Sequence, residues 1–144
     1  MTYNQLLNEI QTLLESHAMI KTAKNSPISD WLNKISQPEY PACIYNIING
    51  SLNKGLVQNY SVQFFFLDKS GADREFEEEV TSDQIQIAGD ILSIVRGTRR
   101  DYTIDEQVSY NIIADKYEDY LAGVELTLNF ETQGEYDGCS APTV

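Results

Sequence analysis

The chain has few of the residues on which most catalytic and metal sites are built. Its 144 residues include one histidine, His17, and two cysteines, Cys43 and Cys139. A Ser-His-Asp or Cys-His arrangement would have to use His17, which falls on the apolar face of the first predicted helix, a position typical of a core histidine. The three His and Cys residues are widely separated and lack zinc-type spacing. We therefore expect no catalytic residue, cofactor or metal site, and we do not expect an enzyme.

Long apolar runs and disulfide-forming cysteines are also scarce. Two cysteines are too few for a disulfide framework, which favours a reducing compartment and leaves a single bridge as the alternative. No apolar run approaches the roughly 20 residues that span a bilayer, and residues 1–16 do not resemble a signal peptide. We expect a soluble protein that stays where it is made and has no membrane partner.

Basic residues are outnumbered by acids. Ten Lys and Arg stand against 22 Asp and Glu, which gives a net charge of −12. Proteins that grip nucleic acid neutralise its phosphates with Lys and Arg, so tight DNA binding is not expected. An acidic surface commonly serves solubility. The more specific alternative is a surface that must not adhere to a polyanion, such as the wall of a DNA conduit.

Apolar periodicity predicts two long helices. The first covers residues 3–17, and Thr2 followed by Gln5 fits a capping box at its start. The second is the segment from Gly71 to Gly97, which opens with acids and continues as an amphipathic helix. Its apolar face is predicted to contain Phe76, Val80, Ile87, Ala88, Ile91, Leu92 and Val95.

Four segments have the composition and alternation of strands. Residues 42–48 and 57–67 predict a long hairpin joined by a loop over 49–55, and residues 104–114 and 124–131 predict two further strands separated by a loop. The inward positions of the clearest alternation are Val124, Leu126, Leu128 and Phe130. The order α-β-β-α-β-β predicts an α+β fold, a mostly antiparallel four-stranded sheet with both helices on one face. We expect one domain, residues 1–131, and an irregular C-terminal tail, residues 132–144, as a contact between subunits.

Charged clusters mark both ends of the helix between Gly71 and Gly97. The acids exceed what the helix dipole requires. The basic cluster either complements the helix C-terminus and pairs with Asp101 and Asp105, or docks on the acids of an identical neighbour; the acids could instead line a channel. These inter-subunit or lumen candidates are Asp73, Glu75, Glu77, Glu78, Glu79, Arg96, Arg99 and Arg100.

The polar connection between residues 20 and 41 contains the chain's one tryptophan, Trp31. A lone Trp in such a segment usually plugs the edge of the core. The alternative is an anchor at an interface, where Trp is enriched. Trp31 therefore joins the candidate inter-subunit residues.

The order of these elements resembles a known family. The helix at Leu6–Leu14 is followed by Trp31, by Tyr40-Pro41 before a strand, by the hairpin, by the helix at Phe76–Val95 and by strands at Gln107–Ala114 and Val124–Glu131. This order resembles the tail terminator (tail completion) and head–tail connector proteins of tailed bacteriophages. It is also similar to the ring proteins of phages with short stacked-ring tails, such as the crAss-like group. The resemblance covers residues 1–131 and is one of element order, without a short motif.

The resemblance implies a structural virion protein that forms a homo-oligomeric ring, six- or twelve-fold, around the channel through which the genome leaves. Its partners would be further copies of itself and the adjacent portal, connector or tail ring proteins, with DNA passing through but not tightly bound. It would be located in the virion, at the tail or the head–tail interface, after assembly in the bacterial host cytoplasm.

Two other functions stay open from the sequence. One is an acidic monomeric binding module, such as an immunity or inhibitor protein that masks a basic toxin or nuclease. The other is a small enzyme that uses carboxylates, with Asp101, Asp105 and Asp115 as the residues to test. Nothing in the sequence indicates the buried carboxyl that such an enzyme would need.

Overall fold

The computed structural model describes residues 1–32, 39–54, 57–71, 76–97, 101–113, 121–133 and 142. Within these ranges the elements are α1 (Tyr3–Glu15), β1 (Thr22–Asn25), α2 (Ile28–Leu32), β2 (Ala42–Asn53), β3 (Val57–Lys69), α3 (Glu77–Gly97), β4 (Tyr102–Ile104), β5 (Tyr110–Ile113) and β6 (Leu121–Gln133). They form a mixed α and β fold around one six-stranded sheet. The strand order is β1-β2-β3-β6-β4, and β5 pairs with the same edge of β6 as β4.

The mostly antiparallel character of the sheet is confirmed, because only β1 and β2 pair in parallel among the described strands. The predicted four-stranded sheet and the order α-β-β-α-β-β are wrong. The connection between residues 20 and 41 contains β1 and α2, and the predicted strand over 104–114 is replaced by β4 and β5. These elements are three to five residues long, which is too short for hydrophobic periodicity to reveal them.

β2 continues through the Asn49-Gly50 pair, where a loop was predicted. Asn49 pairs with Ser61, Gly50 with Tyr60 and Leu52 with Gln58, after a bulge between Ile47 and Asn49. The local turn preference of Asn-Gly is overridden because the ladder to β3 supplies hydrogen bonds along the whole length of the hairpin. β6 likewise begins at Leu121, inside the predicted loop, and runs to Gln133, past the predicted start of the tail.

One face of the sheet is covered by α1 and α3. The predicted capping box at the start of α1 is confirmed: the Thr2 N–H donates to Gln5 Oε1 over 2.7 Å, and the Gln5 N–H donates to Thr2 Oγ1 over 3.2 Å. The predicted inward alternation in β6 is also confirmed. The buried core between helices and sheet includes Leu6, Ile10, Leu14, Cys43, Tyr45, Val62, Phe64, Phe66, Ile87, Ile91, Val95, Val124, Leu126, Leu128 and Phe130. Phe76 was expected in this core, but it lies just before α3 and is half exposed.

A smaller apolar cluster lies on the opposite face, where α2 covers one end of the sheet. Its buried members are Trp31, Ala42, Ile44, Phe65, Leu67, Ile113 and Leu121. β3 and β6 approach closely at this end, at the pair between Leu67 and Gly123. A Cβ atom built on Gly123 would lie 1.8 Å from the Phe66 carbonyl oxygen, and the φ angle of Gly123 is +153°. Glycine is therefore required at this position.

Candidate interaction surfaces

The predicted acidic cluster is described only in part. Glu77, Glu78 and Glu79 occupy the first turn of α3; Glu77 is half-buried, and the other two are exposed. Asp73 and Glu75 lie outside the described residues. Because a helix rises about 1.5 Å per residue, Glu77 and Arg96 are about 28 Å apart along the helix. The acids and Arg96 are therefore too far apart to pair within one chain.

Arg96 has partners within its own chain. Its Nη2 donates to the carbonyl oxygens of Asp105 and Glu106, each over 2.8 Å. The guanidinium thus holds the segment between β4 and β5, a role that the predicted pairing with carboxylates did not include. Arg99 and Arg100 lie outside the described residues, so their docking role stays a prediction. Reversing both charges should weaken assembly if they contact the acids of a neighbouring copy.

Trp31 is 5% exposed and belongs to the apolar cluster beneath α2. The other buried members of this cluster come from β2, β3, β5 and β6 and include Ile44, Phe65 and Leu121. This is the position expected of a residue that closes the edge of the core. An indole buried in this way offers little surface to a second molecule.

A polar surface lies on the part of the sheet that α2 leaves uncovered. We call it the polar sheet face, and its residues point away from α1 and α3. It consists of Asn49, Asn59, Ser61, Gln63, Thr103, Asn111, Glu125, Thr127, Asn129 and Glu131. Glu125 and Glu131 are its two charged members, and both are acids. Lys24 and Lys69 lie on the same side of the sheet but at the end next to α2.

Side-chain hydrogen bonds tie the polar sheet face together across strands. Ser61 Oγ donates to Asn129 Oδ1 over 2.6 Å, and Asn129 Nδ2 donates to Asp105 Oδ2 over 2.9 Å. Asn111 Nδ2 donates to Glu125 Oε1 over 3.2 Å. The surface is therefore an ordered array of amides, hydroxyls and carboxylates. Such an array can hold water, and it presents negative charge outward.

The alternation in the sequence identified the outward-facing residues of β6, which form one row of the polar sheet face. It did not show that β3 lies on one side of that row and β4 and β5 on the other, because strand neighbours are set by tertiary structure. Seen along one strand, Thr127 and Asn129 are ordinary solvent-facing residues. Only the pairing with β3 and the contact with Asp105 make them part of a surface.

The single histidine joins the two helices. His17 Nε2 lies 2.9 Å from Asp90 Oδ2, so the end of α1 is linked to the middle of α3. The hydrogen bond from His17, with a second from Gln86, lowers the pKa of the Asp90 carboxyl. This pair connects structural elements and has no nucleophile among its hydrogen-bond partners.

Two further features of the described residues bear on possible chemistry. Cys43 is fully buried, and burial raises the pKa of its thiol well above the ordinary value, which disfavours the nucleophilic thiolate. An open groove of about 870 Å³ runs beside α1 and is lined mainly by neutral side chains such as Asn8, Thr12 and Ile94. Among the described residues, no group of three or more His, Cys, Asp or Glu is placed to hold a metal ion. Asp115, one of the carboxylates to test, lies outside the described ranges.

No protein-family model matches the chain, and no curated protein sequence matches it. Within the part of the chain that the structure describes, no helix is both long enough and apolar enough to cross a bilayer.

Proposed function

We propose that the chain is a structural virion subunit that forms a homo-oligomeric ring at the head–tail junction or in the tail of a tailed bacteriophage, around the DNA channel. The observation that carries the proposal is the polar sheet face. The resemblance read from the sequence over residues 1–131 motivates it, and the structure matches its element order only in part. α1, β2, β3, α3 and β6 occur in that order, but β4 and β5 replace the single strand expected at Gln107–Ala114, and β1 and α2 are additional.

The chemistry of the polar sheet face suits a wall past which DNA slides. A duplex carries about one negative charge per 1.7 Å of its axis and binds wherever Lys and Arg neutralise its phosphates. The polar sheet face has no Lys or Arg, and its carboxylates Glu125 and Glu131 repel phosphate. Three of its amide and hydroxyl side chains, those of Ser61, Asn111 and Asn129, already hydrogen-bond to neighbouring side chains. DNA would therefore meet a hydrated, weakly repulsive surface.

Negative-stain imaging of the purified protein, with light scattering over a wide concentration range, tests the proposal. We expect rings with an open centre. A protein that stays monomeric throughout and binds a basic protein tightly in a one-to-one complex would instead be an acidic binding module. That outcome would refute the ring.

A pair of double variants tests the role of the polar sheet face. Glu125→Lys with Glu131→Lys places two cations on this surface, and we expect measurable, salt-sensitive DNA binding, because each new phosphate contact steepens the dependence of affinity on salt. The matched control is Glu78→Lys with Glu79→Lys, which makes the same change in net charge on α3. Equal DNA binding by the two double variants would show that net charge, and not this surface, keeps DNA away.

A further inference from the structure

Two lateral edges of the sheet are open within the described residues. β1 pairs only with Ala42 to Tyr45 of β2, so residues 46–53 of β2 have no described strand on their outer side. On the other side of the molecule, β5 pairs with β6 and has no second described partner. Such edges expose backbone donors and acceptors, and proteins that stay monomeric usually protect them with charges or proline.

Neither edge has that protection. Residues 46–53 read NIINGSLN and β5 reads YNII, with no charged residue and no proline in either. The bulge at Ile47 interrupts the first edge, but residues 49–53 beyond it form a regular ladder with β3. In a chain of net charge −12, copies repel one another over most of their surface. The two uncharged edges are where two copies approach at the least electrostatic cost.

The exposed apolar side chains of the two edges also lie on the same side of the sheet. Leu52 is 63% exposed and pairs with Gln58, on the side where α1 and α3 pack. Ile112 is 62% exposed and pairs with Val124, and Tyr110 is 48% exposed and pairs with Leu126, both on that same side. If the edges met, these side chains would cover one another and lose contact with water.

Strand direction permits this meeting between copies in the same orientation. β2 and β6 are both antiparallel to β3, so they run the same way, and β5 runs against β6. A second copy in the same orientation therefore presents its β5 antiparallel to β2. Because β5 pairs beside residues 123–126 of β6 and residues 49–52 of β2 are level with residues 129–132, the second copy is displaced along the strands by about six residues, roughly 20 Å. The contact is head-to-tail, since each copy uses a different edge on each side. Such a contact adds copies in one direction and forms a ring when the rotation between copies closes, or an open filament when it does not.

We infer that residues 49–52 of β2 pair with β5 of a second copy, as the contact that builds the ring; the inference rests on the proposed function. Leu52 lies opposite Tyr110, and Gly50 lies opposite Ile112. Ser51 and Asn111 then lie together on the side of the polar sheet face. The register is restricted because a slip of one residue would turn the apolar side chains to the opposite side.

Disulfide trapping tests the contact. In a Cys139→Ser background, with Cys43 buried, Leu52→Cys and Tyr110→Cys are made as separate proteins. Opposed residues in an antiparallel pair have Cα atoms about 4.5–5.5 Å apart, within the range that a disulfide bridges. We expect a cross-linked dimer from the mixture and none from either protein alone. Met19→Cys mixed with Tyr110→Cys is the control, since Met19 is also exposed and lies in the connection between α1 and β1, outside both edge segments. Cross-linking of Leu52→Cys with itself, or no more cross-linking in the test mixture than in the control, overturns the inference.

Negative-stain imaging of lysine variants tests the strand pairing independently of the proposal that the protein forms a ring. Leu52→Lys and Ile112→Lys should abolish rings, and Met19→Lys, with the same charge change, should keep them. Circular dichroism checks that all three fold. Rings that survive both edge lysines would refute the strand pairing and leave the ring standing. Cross-linked dimers or open fibres without rings would support the pairing and refute the ring. Monomers that never cross-link would refute both.

Discussion

Replacing Gly123 with alanine tests the closest approach between strands in the sheet. The new Cβ would lie 1.8 Å from the Phe66 carbonyl oxygen and 2.9 Å from its carbonyl carbon. Side-chain carbon atoms do not approach a backbone oxygen closer than about 3 Å, so β3 and β6 would have to separate locally by more than about 1 Å. An N–H···O distance near 2.9 Å would then exceed the hydrogen-bonding range.

The cost follows from the hydrogen bonds that such a separation breaks. We expect two ladder bonds around the Leu67–Gly123 pair to be lost, in a region where both residues are buried. A buried donor or acceptor left unpaired costs about 1–3 kcal/mol, so Gly123→Ala should lower the free energy of unfolding by about 3–5 kcal/mol. Gly89 is the matched control, because a Cβ there would have no atom within 4 Å and the residue lies inside α3. Gly89→Ala should raise the free energy of unfolding by about 1 kcal/mol.

Urea unfolding followed by circular dichroism measures both variants. With a slope of about 2 kcal/mol per molar urea, Gly123→Ala should shift the midpoint down by about 2 M and Gly89→Ala should shift it slightly up. A midpoint for Gly123→Ala within experimental error of the wild type would refute the close approach. So would an equal loss in both variants, because a general intolerance of alanine would then explain the result.

Three further substitutions test other parts of the structure by the same assay. Gln84 is 1% exposed, and its Nε2 has no hydrogen-bond partner among the described residues. Gln84→Met should therefore raise the free energy of unfolding by about 1–2 kcal/mol. A lower free energy of unfolding in this variant would mean that the amide is hydrogen-bonded. Trp31→Ala should lower it by about 3 kcal/mol, whereas weakened assembly at unchanged stability would favour the interface role. The hydrogen bond from His17 lowers the pKa of Asp90, so the folded state binds that proton less tightly than the unfolded state does. The stabilisation is then present above the ordinary carboxyl pKa of about 4 and disappears as the pH falls through the lowered value. The difference in free energy of unfolding between wild type and Asp90→Ala should therefore shrink as the pH falls below about 4. A difference that does not change with pH would contradict a stabilising hydrogen bond from His17 to the Asp90 carboxylate.

Local patterns predicted the parts of the fold that local interactions decide. The capping box at Thr2 and Gln5 depends on residues three apart, and it forms as expected. The alternation in β6 follows from one strand having one apolar and one polar side, so the buried Leu126 and Leu128 could be identified without knowing which strands lie beside them. The apolar face of α3 was predicted for the same reason.

The candidate surfaces were less predictable. The exposed acids at the start of α3 were visible in the sequence. The partners of Arg96 were not, because Asp105 and Glu106 offer their backbone carbonyls, which are independent of side-chain type. The role of Trp31 stayed open between core and interface until the structure placed it, buried, in the cluster beneath α2. The polar sheet face requires four strands to be placed side by side.

The sequence by itself determined which side of each long element is apolar, where α1 begins, and that the chain is strongly acidic. These properties depend on residue type and on spacing within a few positions. Tertiary structure alone decided that β2 runs through Asn49 and Gly50, that β6 lies between β3 and the β4–β5 edge, and that α2 covers one end of the face opposite α1 and α3. The reason is that backbone hydrogen bonds between strands can form with many sequences. Which strands become neighbours depends on how the whole sheet buries its apolar residues. The strand edges that find no described partner in this arrangement remain open.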